Sequence, residues 1–280
     1  MGKPSFKHAS VYIVAFLALG ICVVGYYVSG QKQYQERVAY ANATEPQAKN
    51  ELVNLAQQTK ELYHDDKQEL LKKETTVADV SSLQNEVSQV KVSAEDFQIE
   101  EDSLPKGIQK LAKEKEKIRN NLVDINDKLH MQEQINGFFN DEKPVWQNFE
   151  DNVVAKEDLE QEEIADVAED LSLFEDDQWL KLAKSYTTSA SEQLQNVEEI
   201  QKNLNEYEDE EITYDQYDSL VAQIEQVRNE KQQEKFEKAA DDLGQHFGVS
   251  SEAAVTESTE EAASVNNEEA FTEQENTEAY

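Results

Sequence analysis

SLPKGIQKLAKEKEKIRNNLVDINDKLHMQEQIN, residues 103–136, carries apolar side chains at Leu104, Ile108, Leu111, Ile118, Leu122, Ile125 and Leu129. The steps are 4, 3, 7, 4, 3 and 4, which place all seven on one face of an α-helix. Ser103 suits the N-cap, and Pro105 suits the first turn, where a missing N–H costs nothing. Run to Asn136, the helix is about 50 Å long at 1.5 Å per residue. A helix of that length sets the expectation for the whole chain, an elongated all-α body.

The flanking segments read the same way. Upstream, Leu52, Leu55, Leu62 and Leu70 form a stripe. Thr76 then suits the cap of a new helix, with Asp79 at the positive end of its dipole. Val77, Val80, Leu83, Val87 and Val90 follow at coiled-coil-like steps. The stretch 91–102 is acidic and irregular. Downstream, Asp158 is read as the cap of a short helix with seam Ile164, Val167, Leu171 and Phe174, and Asp177 as the cap of a longer one through Trp179, Leu182, Tyr186, Leu194, Val197 and Leu204. Thr213 and Gln216 fit a capping box, with Ile212 stapled to Tyr217. The last helix is read through Tyr217, Leu220, Val221, Ile224, Val227 and Phe236 to C-terminal stops at Gly244 and Gly248. TTVADVSSL, VAKEDLEQ and ITYDQYDSL resemble one another as helix starts, which independent use of good capping chemistry explains without a repeat.

Composition supports an all-α class. Between Gln31 and Leu243 there are two glycines, Gly107 and Gly137, and three prolines, Pro46, Pro105 and Pro144. A β-sandwich or barrel of that length needs many more turn residues. The 280 residues carry a net charge of −34. Lys3 and Lys7 are the charges of the first thirty residues, so the remainder holds −36. Such a surface repels nucleic acid and anionic lipid, which argues against a nucleic-acid partner. After Lys238 there is no Lys or Arg, and Ser250–Tyr280 holds nine glutamates. The segment 248–280 is expected to be a disordered acidic tail.

VYIVAFLALGICVVGYYVSG, residues 11–30, is the one strongly apolar run. Val11 to Val28 is 18 residues without a charge. As a helix it spans about 27 Å, close to the roughly 30 Å of a bilayer's hydrocarbon. Tyr12 at one end and Tyr26 and Tyr27 at the other resemble interfacial belts. Signal-peptide cores are shorter, and Ile21 before Cys22, the one cysteine, does not fit a lipobox. The run is therefore read as a retained membrane anchor, with Val11, Tyr12, Phe16, Leu17, Leu19, Val23, Tyr26, Tyr27 and Val28 against lipid. Residues 1–10 form a short N-terminus, 31–50 a connector and 51–247 the helical bundle. Lys3 and Lys7 on one side nearly balance Lys32 and Arg37 on the other, so charge does not choose the topology.

INGFFNDEKPVWQNF, residues 135–149, breaks the helical pattern with Gly137 and Pro144. Phe138, Phe139, Trp146 and Phe149 are candidates for a partner surface, and equally for the plug where helices converge, which is the commoner use of dense aromatics. His64-Asp65-Asp66 is the nearest approach to a metal cluster, but neighbours on a helix diverge. No nucleophile elbow, zinc-protease or phosphate-loop motif occurs. The expectation is a protein without catalytic residues, cofactor, metal or small-molecule substrate.

ELYHDDKQELLKK, VADVSSLQNEV, MQEQINGFFN and SASEQLQNV, with the acidic short helix before the last, together resemble the first extracellular domain of the mid-cell-anchored protein Z family of streptococcal-type division-site proteins. The likeness covers roughly Ala48 to Phe247. In that family a cytoplasmic segment contacts the tubulin-like division protein; a membrane helix, a helical pedestal, a Ser-rich linker and a wall-binding domain follow. About ten residues precede the run here, and an acidic stretch stands where the linker and wall-binding domain would be. The resemblance implies anchor, pedestal and tail, with the N-terminus inside, the bulk of the chain outside, an unknown protein or cell-wall partner, and no functional residue to carry over. The rival expectation is a cytoplasmic coiled-coil scaffold of the division machinery, anchored by its N-terminus.

Overall fold

The computed structural model describes the backbone of residues 6–207 and 212–249, and side chains from Gly30 onward. Of the acidic tail expected over 248–280, residues 250–280 lie outside this set, as do the anchor side chains; Gly248 and Val249 are described as the end of the last helix. Among the described residues the fold is all-α, with two isolated antiparallel bridges, Tyr63 with Leu71 and Phe139 with Ala155, and no strand. Eight α-helices are described, in two compact units, 1–130 and 131–280.

Unit 1 contains α1 (Phe6–Glu61), α2 (Val77–Gln89), α3 (Ala94–Phe97), a 3-10 turn (Glu101–Ser103) and most of α4 (Lys106–Gly137). The helix α1 carries the apolar run and continues through 31–50, which sequence alone assigned to a connector. Pro46 lacks the N–H for one helical bond, yet the helix persists because its next turns are core. Ala41, Ala48, Leu52 and Leu55 are buried at steps of 7, 4 and 3 against α2, α3 and α4. Among the described residues no helix is long and apolar enough to cross a membrane, and the side chains of Val11–Val28 are not among those residues.

The α1 stripe does not continue to Leu70. The helix stops at Glu61, and residues 62–72 close a loop. The Asp65 carboxylate accepts the Glu69 and Leu70 N–H groups, His64 N–H donates to Leu70 O, and Lys72 N–H to Leu62 O. Gln68 takes φ 61°, a left-handed conformation no helix permits. A local Asp side chain thus outcompetes helix propagation. Leu70 is buried from the loop instead.

The helix α2 starts on the expected Thr76–Asp79 capping box. Val80, Leu83, Val87 and Val90 are buried, while Val77 is 38% exposed. Lys115 Nζ donates to Ser88 O and Val90 O, closing the C-terminal end of α2. Gln84 reaches Leu122 O higher on α4. These contacts make α2 antiparallel to α4. At the start of α4, the Glu45 carboxylate lies where a Cβ on Gly107 would stand, so any larger residue there would have to turn that side chain aside. At its other end in this unit, Lys128, 4% exposed, pairs with Asp124 and donates to Glu69 O. Ser103 is not the cap of α4, because it belongs to the 3-10 turn, and Pro105 sits just before the first helical residue. Ser93 caps α3 with a second capping box, on Asp96.

Unit 2 contains the end of α4, then α5 (Gln161–Asp170), a 3-10 turn (Leu171–Leu173), α6 (Gln178–Tyr207), α7 (Tyr214–Ile224) and α8 (Glu230–Phe247). Asp158 does not cap α5; Glu160 holds that position without a side-chain bond. Ile164, Val167 and Leu171 are buried, Phe174 half-buried. Asp177 does cap α6, accepting the Leu180 N–H at 2.7 Å. The Thr213–Gln216 box starts α7, and its staple residues Ile212 and Tyr217 are both buried. The single last helix read from sequence is two. A turn at 225–229 separates them, and Asn229 caps α8 by accepting the Lys231 and Gln232 N–H groups. Gly248 ends α8 in the left-handed region at φ 73°. Gly244 is no stop. It lies inside α8, where an added Cβ would be 2.9 Å from the Tyr217 ring. Ile200, Leu220, Ile224 and Phe236 complete that core.

Candidate functional site

The segment 138–160 links α4 to α5 without a helix of its own. Lys143 Nζ donates to Asn136 O and Phe139 O, satisfying the carbonyls left open where α4 ends. Asn140 N–H donates to Val154 O, and Lys156 N–H to Phe138 O, so the segment folds back on itself. This hairpin-like return brings the four candidate aromatics to the first turns of α6. Phe138, Phe139 and Trp146 are buried, and Phe149 is 41% exposed.

Tyr186 on α6 organises them. Its hydroxyl accepts the Val145 and Glu150 N–H groups at 3.1 and 3.0 Å and faces the Val145 and Asn148 carbonyls as donor. One buried ring thus supplies hydrogen bonds that a loop without secondary structure cannot make for itself. Phe139, Trp146 and Phe149 pack on the ring, with Phe149 closest at 4.9 Å between centroids. Trp146 stacks on Trp179 at 6.1 Å and 17°, and its indole N–H donates to Asn136 Oδ1. Three of the four candidates are therefore core. The plug is what the geometry supports for them, with the Phe149 edge left at the surface.

The residues sequence reading missed lie just beyond. Arg228, in the turn between α7 and α8, donates to Asp151 O and Val153 O and pairs with the Asp151 carboxylate at 2.7 Å. Gln193 on α6 donates to Val153 O and accepts the Ala155 N–H. Ser189 also donates to Asp151. Arg228 is one of three arginines in the chain, and a planar fork that binds several oxygens at once is what arginine provides and lysine does not. That scarcity was the one sequence signal available. Its partners lie about 75 positions away and nothing local marks them.

Arg228, Gln193 and Ser189 border a cleft of about 360 Å³ that also takes in Glu157, Glu192, Asn196 and Gln232. Its strongest donors, Arg228 and Gln193, are already spent on the 151–155 backbone. Hydrogen bonding and charge from Arg228 hold the Asp151 carboxyl below the ordinary carboxylate range, against a smaller effect of burial. A depressed carboxylate stabilises the fold above its unfolded value of about 3.9 and loses that contribution as pH falls through the folded value. Arg228→Gln is therefore expected to cost about 1 kcal/mol at neutral pH, the pair being partly exposed. The difference from the native chain should shrink in acid. A carboxyl titration by NMR would show Asp151 moving up toward the ordinary value, with the Ser189 bond still in place; an unmoved Asp151 would remove Arg228 from this role.

Asp79 and Asp96 are lowered too. The Thr76 side chain and N–H are bonded to Asp79. Burial pushes Asp96 up, but bonds from Ser93 and Val92 outweigh it. Both are capping-box residues. His64, Asp65 and Asp66 lie in the 62–72 loop rather than on a helix. Among the described residues no group of three or more His, Cys, Asp or Glu is placed to hold a metal ion. Of the anchor candidates, Val11, Tyr12, Phe16, Leu17, Leu19, Val23, Tyr26, Tyr27 and Val28 all fall within α1, and their side chains lie outside the described residues. No protein-family model, curated protein or solved structure matches the chain.

Proposed function

We propose that this is a single-pass membrane protein whose non-catalytic helical body stands outside the cytoplasm as a spacer or interaction module of the cell envelope, associated with division. The observation that carries the reading is continuity. The uncharged run Val11–Val28 belongs to the same helix that supplies Ala41, Ala48, Leu52 and Leu55 to the core of unit 1. A removable leader or a flexible tether would not need to be built into the folded body. The length of the run and its tyrosine brackets support an anchor. The likeness to the division-site pedestal domain supports the outward topology, and the −36 charge beyond the run suits a body that stays off nucleic acid.

The expected result is full-length protein in the membrane fraction, with its N-terminus intact apart from Met1. Protease added to wall-stripped cells should remove the body. An N-terminus at Gln31 would make the run a cleaved signal. A body protected until the cells are lysed would reverse the topology and leave the cytoplasmic scaffold as the reading.

A further inference from the structure

Unit 1 is tied to α1 almost down to the end of the apolar run. The Tyr34 hydroxyl accepts the Glu100 N–H at 3.1 Å. Arg37 donates to Gln98 O at 3.3 Å, and Tyr40 meets the Phe97 ring edge-on at 6.1 Å. Tyr34 lies six helical residues beyond Val28. At 1.5 Å per residue that is about 9 Å. Side chains on a helix lean toward its N-terminus, so Tyr34 reaches back down toward the run and lowers its partner further. The headgroup layer beyond the hydrocarbon is roughly 5–8 Å deep on each side.

We infer that the part of unit 1 beyond the apolar run sits directly on the bilayer, with the acidic turn at Glu100, Glu101 and Asp102 held at the outer edge of the lipid headgroups by a rigid helix. This rests on the anchor reading above. The partner is the headgroup layer itself, and the spacing is set by helix geometry rather than attraction. Charge alone would act the other way. Glu100, Glu101 and Asp102 are repelled by an anionic leaflet, so a body on a loose tether would drift off as the surface became more negative. A body fixed by α1 cannot. Glu101 is exposed at this end of the unit, and Lys67 is exposed in the loop beyond Glu61 at the other. Tyr34 and Glu61 are about 40 Å apart along the helix.

The test uses the full chain in vesicles with Cys22→Ser, which removes the one native thiol, and a single fluorophore on Glu101→Cys or Lys67→Cys. The quencher is attached to lipid headgroups. Quenching at 101 should exceed that at 67 by at least about threefold, because about 40 Å of α1 lies between Tyr34 and Glu61, the residues nearest the two labels along the helix. It should be equal in neutral vesicles and in vesicles with one-third anionic lipid. Inserting a Gly-Ser-Gly-Ser-Gly linker after Gly30 should lower the signal at 101, and more so on anionic vesicles. Equal quenching at both positions, or a native signal at 101 that falls with anionic lipid, would overturn the inference while leaving the anchor intact. Chain that fails to float with the vesicles would instead overturn the anchor reading, and this inference with it.

Discussion

Replacing Trp179 with alanine is expected to remove about 3–5 kcal/mol from the stability of unit 2. Trp179 has no exposed surface. It stacks on Trp146 and packs against Phe174 at 4.9 Å, so its ring joins the 138–160 segment to α6 and to the turn before it. Removing it leaves a cavity among rings held by the Tyr186 hydroxyl and unable to close over the space. Denaturant unfolding followed by far-UV circular dichroism would measure the loss. Leu173→Ala is the matched control. Leu173 is 82% exposed and its truncation should stay within about 0.5 kcal/mol of the native chain. Equal effects from the two would mean that the aromatic cluster does not hold the unit together.

Ala41→Asp is expected to be as damaging to unit 1, at about 3–5 kcal/mol. Ala41 is fully buried on α1. A carboxylate there must either ionise in an apolar setting or fold protonated, since Arg37, one turn earlier on the helix, is already bonded to Gln98 O. The neighbouring Thr44 hydroxyl offers no relief, because it is bonded to Tyr40 O and Ala41 O. Native-state hydrogen exchange would show α1 and α2 losing protection together. Protection unchanged by this substitution would return residues 31–50 to the role of a connector.

Local chemistry was legible. The Thr76–Asp79 and Thr213–Gln216 boxes each lie within four residues, and their partners are visible in the string. The Ser93–Asp96 box obeys the same rule, but the helix it starts is one turn long and leaves no periodicity to notice. The long α4 face read correctly because six apolar positions from Ile108 to Leu129 repeat one period; Leu104, the first of the stripe, precedes the helix. The 62–72 loop read as helix because Leu62 and Leu70 satisfy that period by accident; the Asp65 carboxylate and the left-handed Gln68 decide otherwise. The break between α7 and α8 could have been found at Asn229, a good cap in a stretch with no apolar residue between Val227 and Phe236. The pairing of Arg228 with Asp151 could not, since only the folded chain brings 77 positions of separation down to 2.7 Å.

The unbroken path of α1 from the apolar run to the core makes direction a property of sequence length. Each residue of an α-helix advances about 100° around its axis. One residue added between Gly30 and Tyr34 would turn the whole of unit 1 by that angle about the axis and raise it only about 1.5 Å. Four added residues would bring it back to within about 40° of its first bearing. A partner that must meet one particular side of this unit would therefore read those few positions as a compass setting, in which number matters and identity hardly does.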